Sequence, residues 1–522
     1  VETEYRKTQI SLYIGIGFLL FAIAIEFVSI LLLNNGLLVY TLDDPYIHMA
    51  LSENLRNWHY GININEFSAP SSSILWPFII MPFSDYEYAP FIINVAASVG
   101  TVFVIIKTLS LSIYIENYRR KNIITSTGVI LFILATNIIG LIFTGMEHSL
   151  QVLIVLLVAY GLIVEVEKKE VASWFLAAVI FAPLIRYECL AISIAAVVYF
   201  LLRGYLKQAI VVIALIAMFL GAFSFFLISL GLDPLPTSVL AKSSVLASGD
   251  ALHSFFANIV SSLYHQPQGR IMSVGALVLL SYVFFAHNER RKHLAIATII
   301  AASMHFIAGH YGWYYRYEIY ILAFMLLVTI YIYGPTIKKL IENQKDYFTR
   351  AIIVAAGFSV LIGMPYIYVL FTLPIASNNI YEQQYQMHRF VVDYYKKPVA
   401  VNDLGYVSYK NDYYVLDLCG LGSKKAFLFR TKGNNSDWIK EICEESNIGL
   451  AMIYKDLIKG IPNQWIEIGK LRLSKRNITP ARSEVFFYAT SKEAVSDIVV
   501  KLNKFIKTLP DGVEFVYKES NS

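Results

Sequence analysis

Apolar runs near membrane length recur along this chain, and they leave few folds open. A bilayer core is crossed by about 20 apolar residues in a helix. About eleven candidate spans are expected on that rule: roughly 9–33, 89–114, 123–143, 147–164, 171–185, 188–203, 208–231, 270–287, 294–311, 318–333 and 350–373. The middle ones, between 147 and 203, are short. Composition agrees: 57% of residues are hydrophobic and 16% charged, against about 45–50% and about 25% in soluble domains. The expected fold class is a polytopic α-helical membrane protein. The run Ile10 to Leu33 exceeds a signal-peptide core and no small-residue cleavage site follows it, so it is expected to stay as an anchor. With Val at position 1, an initiator residue is expected to have been lost or replaced.

The basic residues give these spans a direction. Arg6 and Lys7 precede the first run. Arg119 to Lys121, Lys168 and Lys169, Arg203 and Lys207, Arg290 to Lys292, and Lys338 to Arg350 follow alternate runs. All fall on one side if the count holds, and the positive-inside rule makes that side cytoplasmic. The N-terminus is then inside and the C-terminal region outside. The net charge of +5 points to no nucleic-acid partner. Cys189, Cys419 and Cys443 form neither a disulfide framework nor a metal site by spacing.

The longest polar interruption of the N-terminal part is Thr41 to Pro77. It opens on Asp43 and Asp44, continues as an amphipathic segment through Trp58, and ends in a Gly/Asn/Ser/Pro-rich turn. Ionisable groups at a bilayer boundary are costly, which marks them as functional candidates. One reading of Asp43 and Asp44 is a general base that takes a hydroxyl proton. The other is a helix N-cap followed by Pro45 at the first helical position.

Other sparse acids, lone bases and aromatics fall on the same side. Lys242 lies in a Pro/Ser loop, and Arg316 lies among aromatics including Trp313 and Tyr317. Both suit phosphate oxygens, or interfacial snorkelling. Arg186 is a third candidate for phosphate, with an ion pair to Glu188 or Glu147 as the favoured reading. Glu147 either favours its helix dipole or binds sugar hydroxyls. Glu188, Tyr46, His48, Trp313 and Tyr317 complete the sugar- or acceptor-binding candidates. The histidines lack metal-ligand spacing, so no metal centre is expected, although Asp43 and Asp44 offer oxygens to a hard divalent ion. No Walker or Rossmann motif occurs. That argues against a nucleotide-powered pump and a soluble nucleotide-sugar site.

From about Ile375 to Ser522 the chain turns polar. Short β-rich runs (399–401, 413–416, 449–454, 485–489) alternate with helical patterns (384–395, 437–444, 492–507). A small α/β domain is expected. The resulting division is 1–374 for the membrane domain and 375–522 for the extracytoplasmic domain.

Several blocks, taken in order, resemble bacterial GT-C glycosyltransferases, in particular the terminal arabinofuranosyltransferases that use polyprenyl-phosphate sugars. They are Asp43-Asp44-Pro45-Tyr46-Ile47, Ser68-Ala69-Pro70 through Leu75-Trp76, Thr144 to Glu147, and Pro236 to Lys242. Arg316-Tyr317, Asp403-Leu404-Gly405 and Asp417 to Leu421 follow. The family's Arg-Pro-Glu block reads Arg186-Tyr187-Glu188, without the proline. The resemblance implies a GT-C-like membrane domain and a polyprenyl-phosphate-linked sugar donor carrying arabinofuranose or a hexose. It also implies an extracytoplasmic site in a bacterial inner (plasma) membrane and an inverting displacement with an Asp base in the first loop. The acceptor would be a glycan, a lipid-linked saccharide or an exported protein, with no cofactor required. The competing expectation is a transporter or flippase. Against it, the ionisable groups sit at one boundary rather than mid-membrane, and no internal repeat is evident.

Overall fold

The computed structural model describes residues 2–113, 117–242, 251–342, 345–432 and 437–519. Among these, seven helices are long and apolar enough to cross a membrane: Ile10–Leu33, Ala89–Ser112, His148–Lys168, Leu206–Ser229, Pro267–Phe285, Ile319–Lys339 and Ile352–Tyr395. The chain is a polytopic helical membrane protein with a sheet domain at its C-terminal end. The other four expected spans fall on helices that are shorter, broken or more polar. The expected 123–143 span is interrupted: helix Tyr118–Ala135 ends, and a separate helix Ile138–Phe143 follows. The break has an identifiable cause. Thr136 turns its hydroxyl back to the Phe132 carbonyl (2.8 Å), and the Asn137 amide donates to the carbonyls of Tyr314 and Tyr315 (3.2 Å each). Side chains that bond to backbone in this way compete with the helix ladder.

The chain divides into two compact units. The first takes Val1–Glu26, Phe91–Ala222 and Ser244–Phe371 and is helical. In it, helix His148–Lys168 packs on Ser173–Ile185 and on Ile319–Glu342. Gly161 permits the first contact, because a Cβ there would stand 2.3 Å from the Phe175 ring. Helices Ser173–Ile185 and Leu190–Leu202 have 13 residues each, about 20 Å at 1.5 Å per residue. Between them Arg186 leaves the helix in an extended conformation (φ −153°) and Tyr187–Cys189 forms one tight turn. That junction places Arg186 and Glu188 at the meeting point of two short apolar helices.

The second unit takes Phe27–Pro90, Phe223–Ser243 and Thr372–Ser522. Its sheet has six strands: β1 (Val399–Val401), β2 (Val415–Asp417), β3 (Leu450–Ile453), β4 (Ile466–Arg472), β5 (Glu484–Ala489) and β6 (Glu514–Tyr517). Their order is β2-β1-β3-β5-β4-β6. β1 pairs in parallel with β2 and β3, and the other pairings are antiparallel. Side chains alternate across a strand, and β5 shows it. Tyr488 joins a core with Leu416, Ile439, Ile442 and Trp465 on one face. Phe487 packs against the rings of Phe390 (tilted) and Phe515 (edge-on) on the other. Four strands were expected from short β-rich runs. β4 and β6 were missed, because IEIGKLR and EFVY mix charge with apolar residues and β4 carries a register shift at Glu467/Gly469.

Candidate active site

The second unit assembles an acid cluster from opposite ends of the chain. Pro45 stands in the first turn of helix Asp44–Arg56, where its missing N–H costs nothing. Asp43 occupies the N-cap position, yet its side chain makes no capping bond. Its carboxylate instead accepts the N–H groups of Gly405 (2.7 Å) and Tyr406 (2.8 Å), at the start of the short helix Gly405–Ser408. Gly405 is required for this approach, since a Cβ would lie 2.0 Å from the Asp43 carbonyl oxygen. Asp403, just before it, accepts from the Tyr454 hydroxyl (2.7 Å), the Gln384 amide (2.8 Å) and the Asn402 amide (3.1 Å). Asp43, Asp44 and Asp403 all remain half-buried.

Electrostatics tie the three together. Burial, then the Asp403 charge, hold the Asp43 carboxyl well above the usual carboxylate range. The Tyr406 and Gly405 N–H groups pull it down, and Asp44 adds to the rise. Asp403 is raised by burial first and by Asp44, against the hydrogen bonds from Tyr454 and Gln384. Carboxylates that crowd one another in this way hold a proton more tightly than isolated ones, a property suited to general acid–base work. Replacing Gly405 by Ala is expected to drive Asp43 off its two N–H donors. A lowered unfolding temperature with loss of activity would confirm it, and an unchanged protein would show that the chain relaxes around the added methyl.

Tyr46 and His48, on the same helix, are buried. The Tyr46 hydroxyl accepts the Tyr40 N–H (3.1 Å) and its ring lies 3.8 Å from that of Tyr406. His48 Nδ1 sits 3.0 Å from the Ser71 hydroxyl. They position the acid-bearing helix. Further along it, Glu53 accepts the Lys410 N–H (3.1 Å), and burial raises its carboxyl from 4.5 to about 7. A carboxyl raised in the folded state binds more protons than its unfolded form, so stability falls as pH rises through that window. Glu53→Gln is therefore expected to flatten the loss of thermal stability between pH 4.5 and about 7. An unchanged slope would assign that loss to other groups.

The first unit holds a separate polar cluster. Arg186 and Glu147 are almost fully buried and ion-paired, and Arg186 also grips Glu188 through two bonds (2.6 and 3.1 Å). Both favoured ion-pair partners of Arg186 are thus engaged. Glu147 stands at the N-cap of helix His148–Lys168, but its side chain does not cap. Arg316, 1% exposed, donates to the Tyr317 hydroxyl (3.0 Å), and both Arg186 and Arg316 lie against the Tyr317 ring. Trp313 is 54% exposed and sits in a run of left-handed residues from Gly312 to Tyr315. Such conformations are costly for bulky residues and concentrate at functional sites. Lys242 ends helix Thr237–Lys242, and its side chain lies outside the described residues.

Asp403 stood in the quoted Asp403-Leu404-Gly405 block but was not singled out as a site residue. Gln384 and Tyr454 carried no local signal. Among the described residues no group of three or more His, Cys, Asp or Glu is placed to hold a metal ion.

A family model described as a domain of unknown function, DUF8728, matches residues 378–488. No curated protein matches the sequence. Among solved structures, the chain is similar to ArnT from Cupriavidus metallidurans bound to undecaprenyl phosphate, at 10% identity and a TM-score of 0.49, over 92% of this chain and 99% of that one. It is also similar to the Archaeoglobus fulgidus oligosaccharyltransferase tethered with an acceptor peptide, at 11% identity and a TM-score of 0.45, over 97% and 76%. A third is AglB from the same organism with an inhibitory peptide and a dolichol-phosphate, at 10% identity and a TM-score of 0.42, over 97% and 76%.

Proposed function

We propose that this chain is a membrane glycosyltransferase of the GT-C type. It moves a sugar, arabinofuranose or a hexose, from a polyprenyl-phosphate donor to an extracytoplasmic glycan, lipid or protein. The observation that carries this reading is the gathering of Asp43, Asp44 and Asp403 from chain segments far apart in sequence. Asp44, whose charge acts on both Asp43 and Asp403, is the member we assign the proton transfer. The acceptor oxygen attacks the anomeric carbon, and the bond from that carbon to the phosphate oxygen breaks with its electron pair. The acceptor proton passes to Asp44 and polyprenyl phosphate leaves. A cation is needed where negative charge develops. Lys242, which belongs to the same compact unit as the acids, is the cation we assign to it.

In this reading residues 1–374 form the catalytic membrane domain, and 375–522 an extracytoplasmic domain that helps handle the acceptor. The N-terminus is cytoplasmic in a bacterial inner membrane, and the step is drawn without a metal. The test is single-turnover release of sugar from a panel of synthetic polyprenyl-phosphate sugars by the purified chain in lipid nanodiscs. Transfer from one of them supports the reading. Failure of every donor, with movement of lipid-linked substrate across the bilayer, would replace it with a flippase.

A further inference from the structure

The second unit carries a polar pocket away from the acid cluster. Its volume is about 380 Å³, within the ~300–1,000 Å³ range of small-ligand sites. One wall is the C-terminal part of helix Asp44–Arg56 with the turn after it, and the other is the segment 408–414. Glu53 lies roughly 13 Å along the helix from Asp44 at 1.5 Å per residue, and about half a turn around it.

The walls are held rigid by amides that serve the backbone. Asn54 donates to the carbonyls of Gly61 and Ile62 (2.8 Å each). Asn63 bonds both the carbonyl and the N–H of Val415 (3.0 and 2.9 Å). Asn411 donates to the Val407 carbonyl (2.7 Å) and accepts the Tyr413 N–H (2.9 Å). Lys410 is held in a left-handed conformation (φ 49°) while its N–H donates to Glu53. Such strain persists only where surrounding structure over-determines it.

The groups left facing the space are mixed in kind. Glu53 and Asp412 are acceptors and the exposed Asn57 and Asn65 amides offer both donors and acceptors, while the Lys410 ammonium is paired with Glu87 (3.0 Å). Tyr413 and Tyr414 add ring surface. An anion would meet two carboxylates, and no metal-holding group of three His, Cys, Asp or Glu is present among the described residues. Hydroxyls both donate and accept at one atom, and closely spaced hydroxyls match this mixture of carboxylates and amides.

We propose that this pocket binds a saccharide, separately from the acid cluster. Resting on the transferase reading above, that saccharide is a part of the acceptor held apart from the reacting end.

The test uses the full chain in nanodiscs with methyl glycosides of glucose, galactose, N-acetylglucosamine and arabinofuranose, followed by saturation-transfer NMR. At least one glycoside is expected to bind. Its affinity should fall about tenfold in Asp412→Ala and in the Asn57→Ala/Asn65→Ala pair, the loss of one charge-assisted hydrogen bond or two neutral ones. Asp44→Asn should leave it unchanged. Asp412, Asn57 and Asn65 are exposed, and thermal unfolding confirms that each variant is folded. Binding lost in Asp44→Asn but kept in the pocket variants would overturn the proposal, as would binding of none of the four. The donor assay runs alongside. Pocket-dependent binding without sugar transfer would sink the transferase reading and leave the pocket standing. Transfer without pocket-dependent binding would do the reverse.

Discussion

Asp44→Asn is expected to lower single-turnover sugar transfer by about 10²–10⁴-fold, the usual contribution of a positioned general base, while the donor still binds. Asn keeps the size of the side chain but cannot accept the proton. The control is Asp43→Asn, which should behave differently. An amide at position 43 would turn one NH₂ towards the Gly405 or Tyr406 N–H, because both carboxylate oxygens are now accepting. One buried donor then loses its acceptor, at a cost of about 1–3 kcal/mol, so stability and activity should fall together. If Asp43→Asn instead abolishes transfer with stability intact, and Asp44→Asn still turns over, the two roles are exchanged. Equal activity of both variants and wild type would remove the acid cluster from the chemistry.

The second large effect is expected at Arg186. Its guanidinium is 2% exposed and paired with Glu147, itself 0% exposed, and with Glu188. Breaking a buried pair by removing one partner costs about 3–5 kcal/mol, because the remaining charge stays buried. Arg186→Met leaves two carboxylates facing each other and should cost the most. Glu147→Gln leaves Arg186 its Glu188 partner and should cost less. Adding Glu147→Leu and Glu188→Leu to Arg186→Met should recover much of the loss, as apolar replacements of whole buried ionic groups do. The measurement is the unfolding midpoint in nanodiscs. If Arg186→Met unfolds like wild type but loses donor affinity, Arg186 belongs to phosphate recognition rather than to the frame.

Much of the membrane unit was legible because membrane helices announce themselves locally, by length and apolarity. The exceptions are instructive. The break at Thr136 and Asn137 depends on carbonyls nearly 180 residues away, and no local pattern encodes that. The paired acids were legible for the same local reason: charge beside an apolar run is conspicuous. Their third member was not, since Asp403 lies in an ordinary polar stretch and gains its meaning only when Gly405 and Tyr406 close on Asp43. Tyr46 and His48 stand beside the acids in sequence, but their packing on Tyr406 and Ser71 is a tertiary contact that no linear reading shows. Central strands β1, β3 and β5 stood out as apolar runs, while β4 and β6 depend on neighbours that a linear reading does not see.

The bond between Asp43 and the Gly405 and Tyr406 backbone also sets a schedule. The two partners are 362 and 363 residues apart, and synthesis runs at ~5–20 residues per second. Roughly 20–70 s therefore pass between the emergence of Asp43 from the ribosome and that of its donors. Until then the first polar loop has an acid without its clamp. A chain that stops before residue 405 never acquires the arrangement, so a ribosome that quits early leaves a membrane protein with no assembled acid cluster instead of a partly working one.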